Sequence, residues 1–346
     1  MLKNHTKTQM SLLILIIVLL IYSIFVFMEK PSYNEANPFM MNDERPMLIA
    51  HGGGNQEFPD NTLEAYYNAY SVDPNVMMET DVSLTKDGIL ILTHDTTLDR
   101  RTTLIEADVH ELNYEELLEN EVDFSYYNQV QPRSNGYNVS GEFTRYKNYQ
   151  GEEVTPLDVT YPDGIVARHE TKFLVTTLED LIKAFPNNKM NVEIKQQGDL
   201  GLKALEATVE ILASLDDEYN TFERIVLASF HEEIYEAFVS LKETSHQELM
   251  ISPQHQALTK YFILHHLRLT TFFSEPVEVF QVPPLEGRLN LATKHFIETA
   301  HKHDIAVHYW TINDEETMRE LIELGADGIM TDRLHLLKEV LDDMYD

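Results

Sequence analysis

The stretch "MLIAHGGGNQEFPDNTLEAYYNAYSVDPNVMMETDV", Met47 to Val82, decides the architecture. An apolar run, Met47 to Ala50, stops at His51. Three glycines follow, Gly52 to Gly54, and then a loop leads into the helical pattern "TLEAYYNAY". Asp60, Asn61 or Thr62 suits the N-cap of that helix, with Glu64 in its first turn. A second apolar run, "VMMETDV", comes next. A β run, a helix and another β run form the unit of a parallel sheet with crossover helices.

The unit recurs along the chain. Further β-like runs are "ILILTH", "MNVEIK", "RIVLASF", "ELMIS", "VEVFQV", "IAVHYWTI" and "DGIMT", and helical patterns lie between many of them. With about eight such strands the expected fold is α/β, a closed (β/α)8 TIM barrel, with a doubly wound open sheet as the second choice. The chain's 346 residues suit one barrel domain with a large core. One region, from about 106 to 172, breaks the rhythm. It is rich in Tyr, Asn and Gly and too long for an ordinary loop. It reads as an insertion between barrel elements, with a small structure of its own and a place in shaping substrate choice.

The N-terminus carries a different signal. Ser11 to Met28, "SLLILIIVLLIYSIFVFM", holds no charge and is long enough to cross a bilayer core as a helix. Lys3, His5 and Lys7 precede it, and Glu29, Lys30, Glu35, Asp43 and Glu44 follow. That bias places residues 1–10 in the cytoplasm and the main body outside. No small-x-small cleavage site lies near Met28, so an uncleaved anchor is preferred to a signal peptide. The expected organisation is a cytoplasmic N-terminus at 1–10, an anchor at 11–28, a polar linker at 29–45 and the barrel at 46–346. The protein is then a single-pass cell-membrane protein with its catalytic domain extracytoplasmic.

Composition narrows the partners. Asp and Glu number 58 against 26 Lys and Arg, a net charge of −32, so the surface repels polyanions and no nucleic-acid partner is expected. There is no cysteine, which removes disulfides, thiolate nucleophiles and Cys-zinc sites.

In a barrel, chemistry sits at the C-terminal ends of the strands. His51 ends the first run and His94 ends "ILILTH". Glu79 and Asp81 are two apart on one strand face, as are Glu193 and Lys195. Trp310, the only tryptophan, lies late in the chain, and Thr331 and Asp332 close the last run. Acids turned into a barrel are costly without compensation. Glu79, Asp81 and Glu193, with no cysteine and no clustered histidine, suit a hard oxygen-loving divalent ion, Mg²⁺ or Ca²⁺. His51 and His94 can divide acid and base work near neutral pH. Lys195 offers a positive charge to an anion, Gly52 and its neighbours let a substrate approach the backbone, and the helix start after Asn61 offers N–H groups. Together these describe phosphate ester chemistry.

The motifs resemble the glycerophosphodiester phosphodiesterase family. They are His51-Gly52-Gly53, Pro59-Asp60-Asn61-Thr62, Glu79-Thr80-Asp81, Thr85-Lys86-Asp87-Gly88 and His94-Asp95. Glu193-Ile194-Lys195, Trp310-Thr311-Ile312-Asn313 and Gly325 to Asp332 complete the series. The resemblance runs from about residue 46 to 335. It implies a TIM barrel and hydrolysis of a glycerophosphodiester to an alcohol and a glycerol phosphate. It implies one divalent metal, Mg²⁺, Ca²⁺ or Mn²⁺, on Glu79, Asp81 and Glu193, with His51 and His94 as the acid–base pair. Lys195 would contact phosphate and Trp310 would pack on the glycerol or acyl side. A neighbouring glycerol hydroxyl would attack phosphorus to give a cyclic phosphate that water opens. Where the family carries an arginine after the first histidine, this chain has Gly52, and Asp60 replaces a glutamate. Lys195, the metal or Arg168 from the insertion are candidates to replace the missing positive contact.

With a membrane anchor, three substrate classes fit: glycerophosphodiesters, lysophospholipids in a lysophospholipase D-type reaction, and glycerophosphate polymers of a cell envelope. A non-catalytic phosphodiester-binding barrel is the alternative outside enzymology. "HGGG" also suits an esterase oxyanion loop, but no Gly-x-Ser-x-Gly elbow exists. "DVSLTKDG" fails as an EF-hand and reads as a hairpin turn at Lys86-Asp87-Gly88. His265-His266 and "HKHDIAVHYW" are explained by helix faces and strand starts, while His231 follows a strand end and is a candidate to reach the site.

Overall fold

The computed structural model describes residues 2–28, 37–41, 44–128, 130–133, 136–139 and 143–345; for residues 2–8, 27 and 130–139 it describes backbone alone. Eight parallel strands form the barrel: β1 (Met47–Ala50), β2 (Met77–Leu84), β3 (Met190–Ile194), β4 (Ile225–Ala228), β5 (Met250–Ile251), β6 (Val279–Val282), β7 (Ala306–Tyr309) and β8 (Gly328–Thr331). Their order around the sheet is β5-β4-β3-β2-β1-β8-β7-β6. The seam between β5 and β6 is bridged where Glu278 N–H donates to Ile251 O at 3.0 Å and the Glu278 carboxylate accepts from Ile251 N–H at 2.7 Å.

The strands are apolar on both faces because both are covered. Met47 and Ile49 turn into the barrel with Met77, Val226, Val279 and Ala306. Leu48, Ala50, Met78 and Val82 turn outward against the helices. Strand alternation therefore aims Glu79 and Asp81, in step with Met77, into the barrel. The helices are α2 (Leu63–Val72), α3 (Leu178–Ala184), α4 (Gly198–Tyr219), α5 (Glu232–Thr244), α6 (His255–His266), α7 (Lys294–His301), α8 (Glu315–Leu324) and α9 (Leu334–Tyr345). Thr62, Thr177, Thr293 and Asp314 cap four of them by accepting backbone N–H groups of the first turn.

One expected strand takes another role. β2 has eight residues and runs past the rim of the barrel. The chain turns at Gly88 and returns as Leu90–Leu92, antiparallel to β2 and outside the barrel. The turn falls where the sequence places it, but "ILILTH" is a hairpin arm and not a barrel strand. The next excursion, up to α3, holds a helix at Tyr114–Glu119, a hairpin of Val130–Arg133 with Gly136–Val139, and two short 3₁₀ turns. It lies on the loop after β1: Tyr146 Oη donates to Asn55 O and Tyr149 N–H to Gln56 O, both at 2.7 Å.

The opposite end of the barrel is closed by residues from the stretch read as a linker. Phe39 is fully buried among Met47, Ile49, Met77 and Met250. Asn37 Nδ2 donates to Glu278 O and Asp304 O, both at 2.7 Å, and Met41 N–H donates to Asp327 Oδ1 at 2.8 Å. These acceptors sit just before β6, β7 and β8, so residues 37–41 plug the floor at the strands' N-terminal ends. The rest of the expected linker, 29–36 and 42–43, lies outside the described residues. The apolar N-terminal segment forms α1 (Leu2–Phe27), and its stretch from Gln9 to Val26 has the length and composition of a membrane span. It reaches the barrel near its end: Tyr22 Oη donates to Leu267 O at 2.9 Å, and the Phe25 and Phe272 rings lie 4.8 Å apart.

Truncating the plug tests its weight. Phe39→Ala empties a fully buried aromatic site and is expected to cost about 3–5 kcal/mol of unfolding free energy. Urea denaturation followed by far-UV circular dichroism measures it; a loss below about 1 kcal/mol would show that the floor is sealed without Phe39.

Candidate active site

The C-terminal ends of the strands open into a cavity of about 220 Å³. β2 supplies Glu79 and Asp81, β3 supplies Asn191 and Glu193, and Lys195 follows. His51, Trp310 and Met330 come from the ends of β1, β7 and β8, and His94 comes from the hairpin arm. Seven of the eight site residues expected from the sequence thus meet in one cavity. Gly52 does not line it.

Three carboxylates share the cavity's wall. In the β2–β3 pairing Asp81 lies opposite Glu193. Ligand oxygens of Glu79, Asp81 and Glu193 all fall within 4.8 Å of one another. Burial, and then the charges of Asp81 and Glu193, push the Glu79 carboxyl up to about 8. Burial and Asp81 likewise raise Glu193. Lys195 is the cation among them, with Nζ 2.8 Å from Glu193 Oε1 and 3.4 Å from Asp81 Oδ1. Burial would lower its ammonium, but Asp81 and Glu193 hold it well above the usual lysine range. The raised Glu79 and Glu193 carboxyls record the repulsion among the three acids, and an all-oxygen set at this spacing fits a hard divalent cation.

Each histidine is held by an aspartate. His51 Nδ1 lies 2.7 Å from Asp332 Oδ1, and His94 Nδ1 lies 3.0 Å from Asp95 Oδ1. In each ring the bond takes Nδ1 and leaves Nε2 as the nitrogen for a reacting partner. Burial would lower the His51 imidazole, but the Asp332 hydrogen bond and the charges of Glu79, Asp332 and Asp81 outweigh it and push it up to about 10. Burial would raise Asp95, yet the His94 bond and the Arg100 guanidinium hold it well below the usual carboxylate range. Arg100 Nε bonds Asp95, its Nη2 lies 3.5 Å from Asp60, and Arg101 pairs with Asp60 from the other side. His94 stands at the site because Thr93 N–H donates to Asp81 O at 2.9 Å, which draws the hairpin arm against β2.

Two asparagines build the same clamp at opposite sides. Asn61 Nδ2 donates to Asp81 Oδ2 at 3.0 Å, and its Oδ1 accepts from Thr80 Oγ1 and Asp81 N–H. Asn313 Nδ2 donates to Asp332 Oδ2 at 2.7 Å, and its Oδ1 accepts from Thr331 Oγ1 and Asp332 N–H. A Thr-Asp pair of a barrel strand is locked each time by an asparagine from a loop. The sequence contains both asparagines within its motifs but does not show which aspartate each one holds.

Several expectations change. Gly52 N–H is spent on Glu79 Oε2 at 2.7 Å, so Gly52 positions a carboxylate and does not face the cavity. A Cβ at Gly52 would lie 2.9 Å from Asp60 Cβ and one at Gly53 2.7 Å from Ala65 Cβ, with φ of +55° and +87°. The glycines allow the loop to pack on α2. The start of α2 is equally occupied: Thr176 Oγ1 accepts from Leu63 N–H and Thr62 Oγ1 from Ala65 N–H. Those donors do not serve an anion. Arg168 forks onto Glu64 with two 3.0 Å bonds and also donates to the carbonyls of Leu174 and Val175, so it ties the insertion to α2 and not to the site. His231 Nε2 lies 3.0 Å from Lys195 O, behind the lysine. His265 and His308 are buried, the first by helix packing and the second beside the floor plug, where it lies 3.4 Å from Phe39 O.

The sequence reading missed Phe230, which follows β4 in "RIVLASF". It packs edge-on to Trp310 at 5.9 Å and lies 5.8 Å from Lys195 Nζ. With 59% of its surface exposed it makes an apolar lip beside the polar wall. Asn191 and Gln281, also missed, point inward from β3 and β6 by strand parity.

Comparison with known proteins places this arrangement. The sequence model of the glycerophosphoryl diester phosphodiesterase family matches residues 51–336. A glycerophosphodiester phosphodiesterase of Caldanaerobacter subterraneus is 25% identical over 295 residues, covering 83% of this chain and 94% of that protein. A lysophospholipase D of Rattus norvegicus is 24% identical over 317 residues, covering 86% of each. Two solved structures share the fold. The Thermotoga maritima glycerophosphodiester phosphodiesterase superposes with a TM-score of 0.55 at 20% identity, covering 86% of this chain and 98% of that one. An Oleispira antarctica phosphodiesterase in complex with the product sn-glycerol-3-phosphate gives 0.56 at 19%, covering 86% and 97%. A family match that begins directly after β1 and spans the other seven barrel strands, on a cavity that joins acids, lysine and two histidines, leads to one conclusion: the chain belongs to the glycerophosphoryl diester phosphodiesterase family and is a phosphoric diester hydrolase.

Proposed function

We propose that this chain is a membrane-anchored, metal-dependent glycerophosphodiesterase in which His51 and His94 move the protons. The observation that carries the reading is the pair of His–Asp couples flanking three carboxylates in one cavity. Glu79, Asp81 and Glu193 would hold the divalent cation, Mg²⁺, Ca²⁺ or Mn²⁺. When bound it supplies Lewis-acid stabilisation of the charge that builds on the phosphate oxygens. Lys195 binds the phosphate beside them. Phe230 and Trp310 shield the carbon part of the substrate from water. One imidazole accepts the proton of the glycerol hydroxyl next to the ester as its oxygen bonds to phosphorus. The other protonates the departing alcohol oxygen as the old P–O bond breaks. Water then opens the cyclic phosphate with the two imidazoles in reversed roles, leaving glycerol phosphate. Asp332 and Asp95 keep each ring oriented, and the Asn313 and Arg100 contacts keep the aspartates in place.

A binding protein has no use for two oriented imidazoles around a carboxylate cluster, so the catalytic reading is preferred to the phosphodiester-binding barrel. The fold supports one choice among substrates. α1 meets the barrel at the C-terminal end of α6 and the plug closes the floor, both at the strands' N-terminal ends. The cavity opens at the other end. With α1 in the bilayer and the barrel outside the cell, the mouth faces away from the anchoring membrane. That favours water-borne glycerophosphodiesters and envelope glycerophosphate polymers over a lysophospholipid still held in that bilayer.

The test is phosphomonoester release by the fragment from about residue 30, given glycerophosphocholine, lysophosphatidylcholine or a glycerophosphate polymer. EDTA is expected to abolish release, and one of Mg²⁺, Ca²⁺ or Mn²⁺ to restore it. Activity that survives exhaustive chelation would remove the cation from the mechanism. His51→Ala and His94→Ala should each lower kcat by about 10²- to 10⁴-fold while the fold and metal binding persist. Near-normal turnover in either variant would sink the proton-transfer assignment. Asp332→Asn removes a charge that holds His51 in its protonated form. The His51 pKa should therefore fall, and the limb of the kcat/KM–pH profile that depends on protonated His51 should move to lower pH. An unmoved profile would mean that Asp332 does not tune His51.

A further inference from the structure

A second cavity, of about 230 Å³, lies at the foot of the barrel where α1 ends. Val26 of α1 forms one wall. His265 and Arg268 at the end of α6, Thr270, and His295 and Lys302 at the ends of α7 form the others. In a chain of net charge −32 this is an island of basic side chains. Arg268 and Lys302 are exposed, and neither forms an ion pair among the described residues.

Two deeply buried polar atoms on residues of the cavity wall have no hydrogen-bond partner among the described residues. They are His265 Nδ1 and Thr270 Oγ1, on residues 7% and 1% exposed. A buried polar atom left unsatisfied is costly, so such atoms point to something that fills the space. Burial and the neighbouring His295 and His266 push the His265 imidazole down to about 4, so it stays neutral and can donate a ring N–H.

Beside the cavity stands an apolar step. Ile263, Leu267 and Phe272 are each about half exposed, and Leu267 and Phe272 touch Tyr22 and Phe25 of α1. Apolar side chains level with the end of a membrane span, with cations just beyond them, match the layering of a bilayer interface: acyl boundary first, phosphates next. The acidic barrel is repelled as a whole by an anionic membrane. Local cations at the phosphate level are what would hold its floor down.

We propose that this cavity seats the phosphate of an anionic phospholipid headgroup and that the seated lipid holds the floor of the barrel on the anchoring membrane. Arg268 and Lys302 supply the charge, and His265 and Thr270 donate to the phosphate oxygens. The inference rests on the reading of α1 as a membrane anchor. It does not depend on the catalytic assignment, because none of these residues belongs to the active site.

Hydrogen exchange on the full chain in lipid nanodiscs tests it. The comparison is phosphatidylcholine alone against phosphatidylcholine with phosphatidylglycerol. Amides of 263–272 and 294–302 should exchange roughly ten-fold more slowly in the anionic discs, and the double variant Arg268→Glu, Lys302→Glu should lose the difference. Diesterase activity of that variant on a soluble substrate should stay unchanged, which shows that it is folded. Equal exchange in both lipids, or a lipid effect that survives the double variant, overturns the proposal. Millimolar inorganic phosphate that reproduces the protection in phosphatidylcholine discs also overturns it, because the ligand is then free phosphate. Alkaline carbonate extraction of native membranes tests the anchor separately: release of the chain removes the anchor and the headgroup seat together, whereas retention without lipid dependence removes the seat alone.

Discussion

Three carboxylates that repel one another govern this structure. Glu79, Asp81 and Glu193 are brought together by the register of β2 against β3. Left in a barrel without compensation they would favour protonation or unfolding, and the elevated Glu79 and Glu193 record that pressure. The surrounding contacts answer it. Gly52 gives its N–H to Glu79, Asn61 gives its amide to Asp81, and Lys195 lies across Asp81 and Glu193. On the proposed reading a divalent cation would complete the balance, so the arrangement that costs stability is also the one suited to metal and phosphate.

The barrel separates two tasks by its two ends. At the C-terminal ends the strands stop and side chains from several loops converge, so polar groups can meet without breaking the sheet. The asparagine clamps at Asp81 and Asp332 show how such groups are kept in place. Each lock needs a strand and a neighbouring loop, which a barrel provides repeatedly around its rim. At the N-terminal ends, Phe39 and its neighbours close the floor with apolar contact and main-chain hydrogen bonds. α1 joins on that side. The active-site cavity and the junction with α1 therefore lie at opposite ends of the barrel, and neither constrains the other's residues.

The order of β and α units, the inward acids and the two histidines were legible because local periodicity carries them. Glu79 and Asp81 share a strand face whatever surrounds them. A histidine after an apolar run marks a strand end. Other features misled for a shared reason: a residue's type shows what it can bond, not what it does bond. Gly52 and Gly53 suggested room for substrate, and the room is taken by Asp60 and Ala65. Arg168 suggested a phosphate contact, and its bonds go to Glu64. "ILILTH" had the pattern of a barrel strand, yet the turn at Gly88 folds it back outside.

By itself the sequence determined the alternating architecture, the apolar N-terminal segment, the acid–base and acidic residue types, and the family. Each is written in spacing or in motif, and spacing survives without coordinates. Tertiary structure alone decided the pairing of His51 with Asp332 and the lock formed by Asn61 and Asn313. It also decided the aromatic lip at Phe230, the Phe39 plug and the basic hollow beneath α1. All of these join residues far apart in the chain, His51 to Asp332 and Phe39 to Met250 among them. Closing the barrel is what brings such residues within contact distance, and no local pattern records which of them will meet.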